Sequence, residues 1–147
     1  MTTTHKKSGR CLCGAVHFTV EKAPENINVC HCEMCRRWSS GPFFALHGEG
    51  PVTFEGDEYI ERYKSSEWAE RGFCRVCGTS LFYRIVESDQ YIVSVGALDD
   101  QAGFVLDSEI FIDEKPPFYA FANKTAKMTG PEVFALFAPP DGDDTPE

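Results

Sequence analysis

All seven cysteines of this 147-residue chain fall in three short stretches, "CLC" at 11–13, "CHCEMC" at 30–35 and "CRVC" at 74–77. Two CxC pairs result, Cys11 with Cys13 and Cys30 with Cys32, and two CxxC pairs, Cys32 with Cys35 and Cys74 with Cys77. In an extended strand, residues i and i+2 share a face, so a CxC sets two thiolates side by side. That spacing suits chelation of one ion and is poor geometry for a disulfide. A CxxC on a tight turn also brings two sulfurs to one point, and Gly78 after Cys77 supplies the backbone freedom such a knuckle needs. An odd number of cysteines in a chain without a secretory leader further argues against a disulfide framework. Thiolates at these spacings point to zinc, ahead of iron and sulfide.

Coordination rules divide seven ligands into a closed set of four and an open set of three. Cys11, Cys13, Cys74 and Cys77 could share one ion and leave Cys30, Cys32 and Cys35 for a second. Equally, Cys30 and Cys32 could join Cys74 and Cys77. The first arrangement is the more economical, because two clips close one tetrahedron and "CHCEMC" supplies three ligands locally. His5, His17, His31 and His47 are weaker candidates, since scattered histidines are more often surface or supporting groups. His31 alternates with its cysteine neighbours and points away from them if that stretch is extended.

A formal charge of -9 is unsuited to nucleic acid, which requires clustered Lys and Arg. No apolar run approaches a membrane span, and "MTTTHKKSGR" lacks the apolar stretch of a signal peptide. Small molecules and proteins are therefore the expected partners, and the cytoplasm the expected location. The length and the 42% hydrophobic content suit one compact domain over residues 10–138. Residues 1–9 read as a flexible lead and residues 139–147, within "PPDGDDTPE", as a disordered acidic tail.

Period-2 and short apolar runs predict a mainly β fold: "AVHFTV" at 15–20, "PFFAL" at 42–46, "YIERY" at 59–63, "SLFYRI" at 80–85, "YIVSV" at 91–95, "EIFI" at 109–112 and "FYAFA" at 118–122. "EGDE" at 55–58 and "ESDQ" at 87–90 read as hairpin turns. Helical signal is confined to a turn or two around "EMCRRW" at 33–38.

The succession "CLCGAVHF", "CHCEMCRR", "SSEWAERGFCRVCGTSLFYR" and "YIVSVGALDD" resembles the family of glutathione-dependent formaldehyde-activating enzymes and centromere protein V, over residues 10–120. The resemblance implies an antiparallel β-tent fold with zinc knuckles, little helix and two zinc ions per chain. It assigns Cys11, Cys13, Cys74 and Cys77 to a structural zinc, and Cys30, Cys32 and Cys35 to a second zinc with an open position. It also implies a carbon–sulfur lyase acting on glutathione or another thiol joined to an aldehyde. A non-catalytic thiol carrier and a protein-interaction module are the alternatives, with a redox role for "CEMC" a minor fourth. The chain departs from the family pattern at Glu109, where many members have His, and at Phe118, where many have Trp.

Zinc held by three thiolates carries a net charge near -1, which makes it a weak Lewis acid and a better holder of an incoming thiolate. By sequence, Arg36, Arg37 and Arg71 are the nearest cations for a thiol ligand's carboxylates; each is equally well explained as a solvated surface residue.

Overall fold

The computed structural model describes residues 3–137, so the predicted acidic tail at 139–147 lies outside the described residues. Where one domain is expected over 10–138, the chain forms two compact units. The first comprises Met1–Ile27 and Phe44–Val105, the second Asn28–Phe43 and Leu106–Glu147.

The first unit begins with β1 (Thr4–Arg10), so the predicted flexible lead forms a strand. Its partner is β2 (His17–Pro24), with Gly9 opposite Phe18, and β2 pairs in turn with β5 (Glu49–Glu55). A Cβ on Gly9 would lie 2.4 Å from the Phe18 ring, which is why the close approach there needs glycine. The remaining strands of this unit are β4 (Phe43–His47), β6 (Ile60–Lys64), β7 (Ala69–Cys74), β8 (Ser80–Ile85) and β9 (Gln90–Ser94). They run antiparallel in the order β4-β9-β8-β7-β6.

"ESDQ" forms the hairpin between β8 and β9, with Asp89 at φ 58. "EGDE" does not form a hairpin. Gly56 at φ 81 leads into a 3-10 turn, and the chain leaves the β1-β2-β5 sheet for the edge beside β7. Alternation on β2 places Phe18 and Val20 inside, where they meet Leu46, Leu81, Phe82 and Val93; all six are at most 2% exposed. Cys11 and Cys74 belong to this same apolar cluster.

In the second unit, β3 (Asn26–Cys30) leads through Cys32 into α1 (Glu33–Ser39). Late in the chain come β10 (Val105–Ile110), β11 (Ala126–Met128) and α2 (Gly130–Phe137). The strand order is β11-β10-β3, with β10 and β11 parallel. The predicted strand "EIFI" stops at Ile110, because Phe111 turns into the left-handed region at φ 56. "FYAFA" at 118–122 forms no strand. It follows Pro116 and Pro117, whose fixed φ and missing N–H groups break the run before it, and Phe118 lies in a turn instead.

Candidate metal centre

Two knuckles of the first unit converge on one point. After β1, the Cys11 amide donates to the Val16 carbonyl at 3.0 Å and Gly14, at φ 84, closes the turn. Beyond β7, the Cys74 amide donates to the Thr79 carbonyl at 3.0 Å and Gly78, again at φ 84, closes the second. Both sequences run Cys to Cys to Gly, and both glycines take the conformation that side chains disfavour. A register shift between Gly72 and Phe73 re-aims the end of β7, so that Cys74 is fully buried. The Thr79 hydroxyl ties the knuckles together, accepting from the Leu12 amide at 3.0 Å and lying 3.1 Å from the Cys77 sulfur.

The four sulfurs of Cys11, Cys13, Cys74 and Cys77 all lie within 4.8 Å of one another. Cys11 to Cys13 is 3.6 Å and Cys13 to Cys74 is 3.8 Å. A tetrahedral zinc with Zn–S bonds of about 2.3 Å has sulfur–sulfur edges of about 3.8 Å, and a disulfide would bring them to about 2.0 Å. The spacing therefore fits a shared ion and excludes a disulfide.

Backbone amides also point at the sulfurs: Val16 to Cys11 at 3.3 Å, Val76 to Cys74 at 3.4 Å and Cys77 to Cys74 at 3.5 Å. Such bonds favour thiolate over thiol. The Thr79 hydroxyl, with further amides, brings the Cys77 thiol down to about 5. Cys13 is pushed up to about 11, because burial and the three neighbouring sulfurs outweigh the Ala15 amide that favours its thiolate. Four thiolates this close repel one another unless a cation sits among them.

The second unit holds the other cluster. Cys30 ends β3, Cys32 caps α1 and Cys35 lies one turn inside it; their sulfurs are again within 4.8 Å of one another. The Cys35 amide donates to the Cys32 sulfur at 3.4 Å, so the cap itself prepares one thiolate. Cys32, Cys35 and burial push the Cys30 thiol far above its ordinary value, because three sulfurs crowd together in a buried place. Among the described residues no fourth metal-binding group joins this set.

His31, between two of these cysteines, is fully buried and committed elsewhere. Its Nε2 lies 2.8 Å from Glu109 Oε1 on β10, and its Nδ1 lies 2.7 Å from the Tyr119 hydroxyl. Glu109 is 2% exposed and also accepts from the Thr125 hydroxyl at 2.5 Å. Burial disfavours its charge, but the Thr125 and His31 bonds and Lys127 prevail, and its carboxyl is held below the ordinary range. Both ring nitrogens are therefore engaged, Nε2 by Glu109 and Nδ1 by Tyr119. The ring thus anchors the backbone between Cys30 and Cys32 and offers no nitrogen to a metal.

The other histidines stay out of both clusters: His5 pairs with Glu25 at 2.8 Å, His17 is exposed, and His47 is shifted down by burial. Of the three arginines, Arg36 donates from Nε to the His31 carbonyl at 2.9 Å. Arg37 is an exposed partner of Glu33, whereas Arg71 is buried in the first unit with its guanidinium 4.9 Å from the centre of the Tyr83 ring.

The profile of the glutathione-dependent formaldehyde-activating enzyme family matches residues 6–114. The chain belongs to this family. Proteins similar to it include an uncharacterised lyase of Schizosaccharomyces pombe, 36% identical over 126 residues, which are 85% of this chain and 92% of that relative. A crystal structure of a Rhodobacter sphaeroides protein superposes with a TM-score of 0.55 at 28% identity, over 63% of this chain and 87% of the other. The family's mainly β architecture is the one described above, and the cysteine motifs that carry the resemblance supply both clusters. No helix among the described residues is long and apolar enough to cross a membrane.

Proposed function

We propose that this protein is a two-zinc carbon–sulfur lyase of the glutathione-dependent type, in which the Cys30, Cys32 and Cys35 cluster is the working centre. One observation carries the reading. Three sulfurs converge, the intervening histidine is held by Glu109 and Tyr119, and among the described residues no other protein ligand completes the set. The Cys11, Cys13, Cys74 and Cys77 cluster has its four ligands and is assigned to a structural zinc.

A zinc ion on three thiolates supplies one thing: it keeps an incoming thiol deprotonated at neutral pH beside an electrophilic carbon. The protein's own groups do the rest. Cys32, through the Cys35 amide, and buried Cys30 and Cys35 fix the face on which the thiol is received. The bonds of His31 to Glu109 and Tyr119 hold that face still. Addition of the thiol sulfur to an aldehyde carbon, with a proton passing to the carbonyl oxygen, gives a hydroxyalkyl thioether; the reverse cleaves it. Family membership supports a glutathione-type thiol as the partner, and seven free thiols suit the reducing cytoplasm.

Titration of the cobalt-substituted protein with glutathione and with its serine-containing counterpart tests the open position. The thiol should shift the cobalt absorption bands and the alcohol should not, because a soft thiolate outcompetes a hydroxyl there. Turnover of a thiol plus aldehyde panel then separates a lyase from a carrier. Bands unmoved by any small thiol would end the open-site reading.

A further inference from the structure

Within the second unit, a cavity of about 490 Å³ lies between the C-terminal end of α1 and the turn that follows Pro116. This is the size of a small-ligand site. One wall is Arg36 with the Ser40, Gly41 and Pro42 turn, and the other includes Phe118 and Tyr119. Both walls are fixed. Ser40 ends α1 at φ 60, and the Ser39 hydroxyl bonds the Cys35 and Gly41 carbonyls at 2.8 and 3.1 Å. Opposite, Lys115 Nζ donates to the Pro116 carbonyl at 2.9 Å and to the Tyr119 carbonyl, while the Tyr119 hydroxyl is held by His31.

The cavity shares its supports with the three-cysteine cluster. Arg36 follows Cys35 directly on α1, and Tyr119 bonds the residue between Cys30 and Cys32. Its polar character is narrow: Arg36 is the one ionisable cation among the lining residues. Arg36 donates from Nε to the His31 carbonyl, which fixes the plane of the guanidinium and directs its two terminal nitrogens to a planar anion. Phe118 stands 83% exposed at the rim, its ring 5.5 Å from that of Tyr119, and adds apolar surface there. In a chain of formal charge -9, a carboxylate finds attraction only where a cation is so placed.

We propose that this cavity receives the body of the thiol ligand and that Arg36 binds its carboxylate, so that the site selects carboxylate-bearing thiols over neutral ones. The inference rests on the open-site reading of the three-cysteine cluster and adds the place where the body of the ligand lies and the residue that recognises its carboxylate. Arg37, paired with Glu33, and Arg71, stacked on Tyr83, have no part in it.

The test uses the full-length cobalt-substituted protein with two probes, 3-mercaptopropionate and its methyl ester, read by the cobalt bands. The acid should bind roughly tenfold more tightly than the ester. Sulfur chemistry alone predicts the reverse, since the ester is the more acidic thiol. In Arg36→Gln the preference should fall toward one, with the ester's affinity little changed. Should that variant fold poorly, the wild-type preference read at rising salt replaces it, and it should shrink as the charge is screened. An ester bound as tightly as the acid, or a preference that survives Arg36→Gln or high salt, overturns the assignment while the open-site reading stands. Bands that move with neither probe overturn both.

Discussion

His31 and Glu109, 78 residues apart in sequence, form a 2.8 Å pair in which both side chains are at most 2% exposed. A buried pair of this kind contributes little net stability over an apolar one, but loss of one partner leaves the other uncompensated. Glu109→Gln should therefore cost on the order of 1.5–3 kcal/mol at neutral pH, read by urea unfolding. The folded-state carboxyl of Glu109 is held low, so its contribution is complete above the unfolded carboxylate range and disappears as pH falls through the folded value. The gap between wild type and variant should close in acid; a gap that stays constant down to that range contradicts an ionised Glu109 beside His31.

Metal content is the second expectation. Protein prepared without chelator should carry on the order of two zinc ions per chain by elemental analysis. A ratio near one, or visible colour with iron, would contradict the assignment of the two cysteine clusters.

Cys74 and Cys32 separate the roles of those clusters. Cys74→Ser opens the site that joins knuckles far apart in sequence, and metal free energy there is folding free energy. Its midpoint should fall by on the order of 10 °C or more by calorimetry. Cys32→Ser should give a folded chain with about one zinc fewer. Equal losses of stability in both variants would refute the division.

Packing beside the first cluster supplies a metal-independent test. A Cβ on Gly72 would lie 2.1 Å from the ring of buried Phe82, whereas one on Gly96 meets nothing within 4 Å. Gly72→Ala should cost about 1–3 kcal/mol in chemical denaturation, and Gly96→Ala close to none.

The sequence carried the chemistry more openly than the framework. Cysteine spacing favoured, and the family resemblance assigned, the two sets that the structure brings together: CxC and CxxC are local geometry, but which pairs share a point is decided by tertiary contact. The strands β1, β5 and β7 went unread, since Lys6 and Lys7, Gly50 and Pro51, and Glu70 and Arg71 interrupt the apolar alternation that marks a strand. For α2 the signal was present: Thr129 and Glu132 form a capping box, with the Thr129 amide 2.7 Å from the Glu132 carboxylate and the Glu132 amide 3.3 Å from the Thr129 hydroxyl. The partners of His31 were beyond reach, because a buried acid on β10 and a tyrosine in a turn reveal themselves only through tertiary contact.

The two cysteine clusters stand differently in time. Cys30, Cys32 and Cys35 leave the ribosome within six residues, so their ion can be met while the rest of the chain is still being made. Cys13 must wait for Cys74, 61 positions later, and closing that span carries an entropy cost that the local cluster avoids. In a cell short of metal, nascent chains can therefore fill the three-cysteine cluster before the four-cysteine cluster is complete.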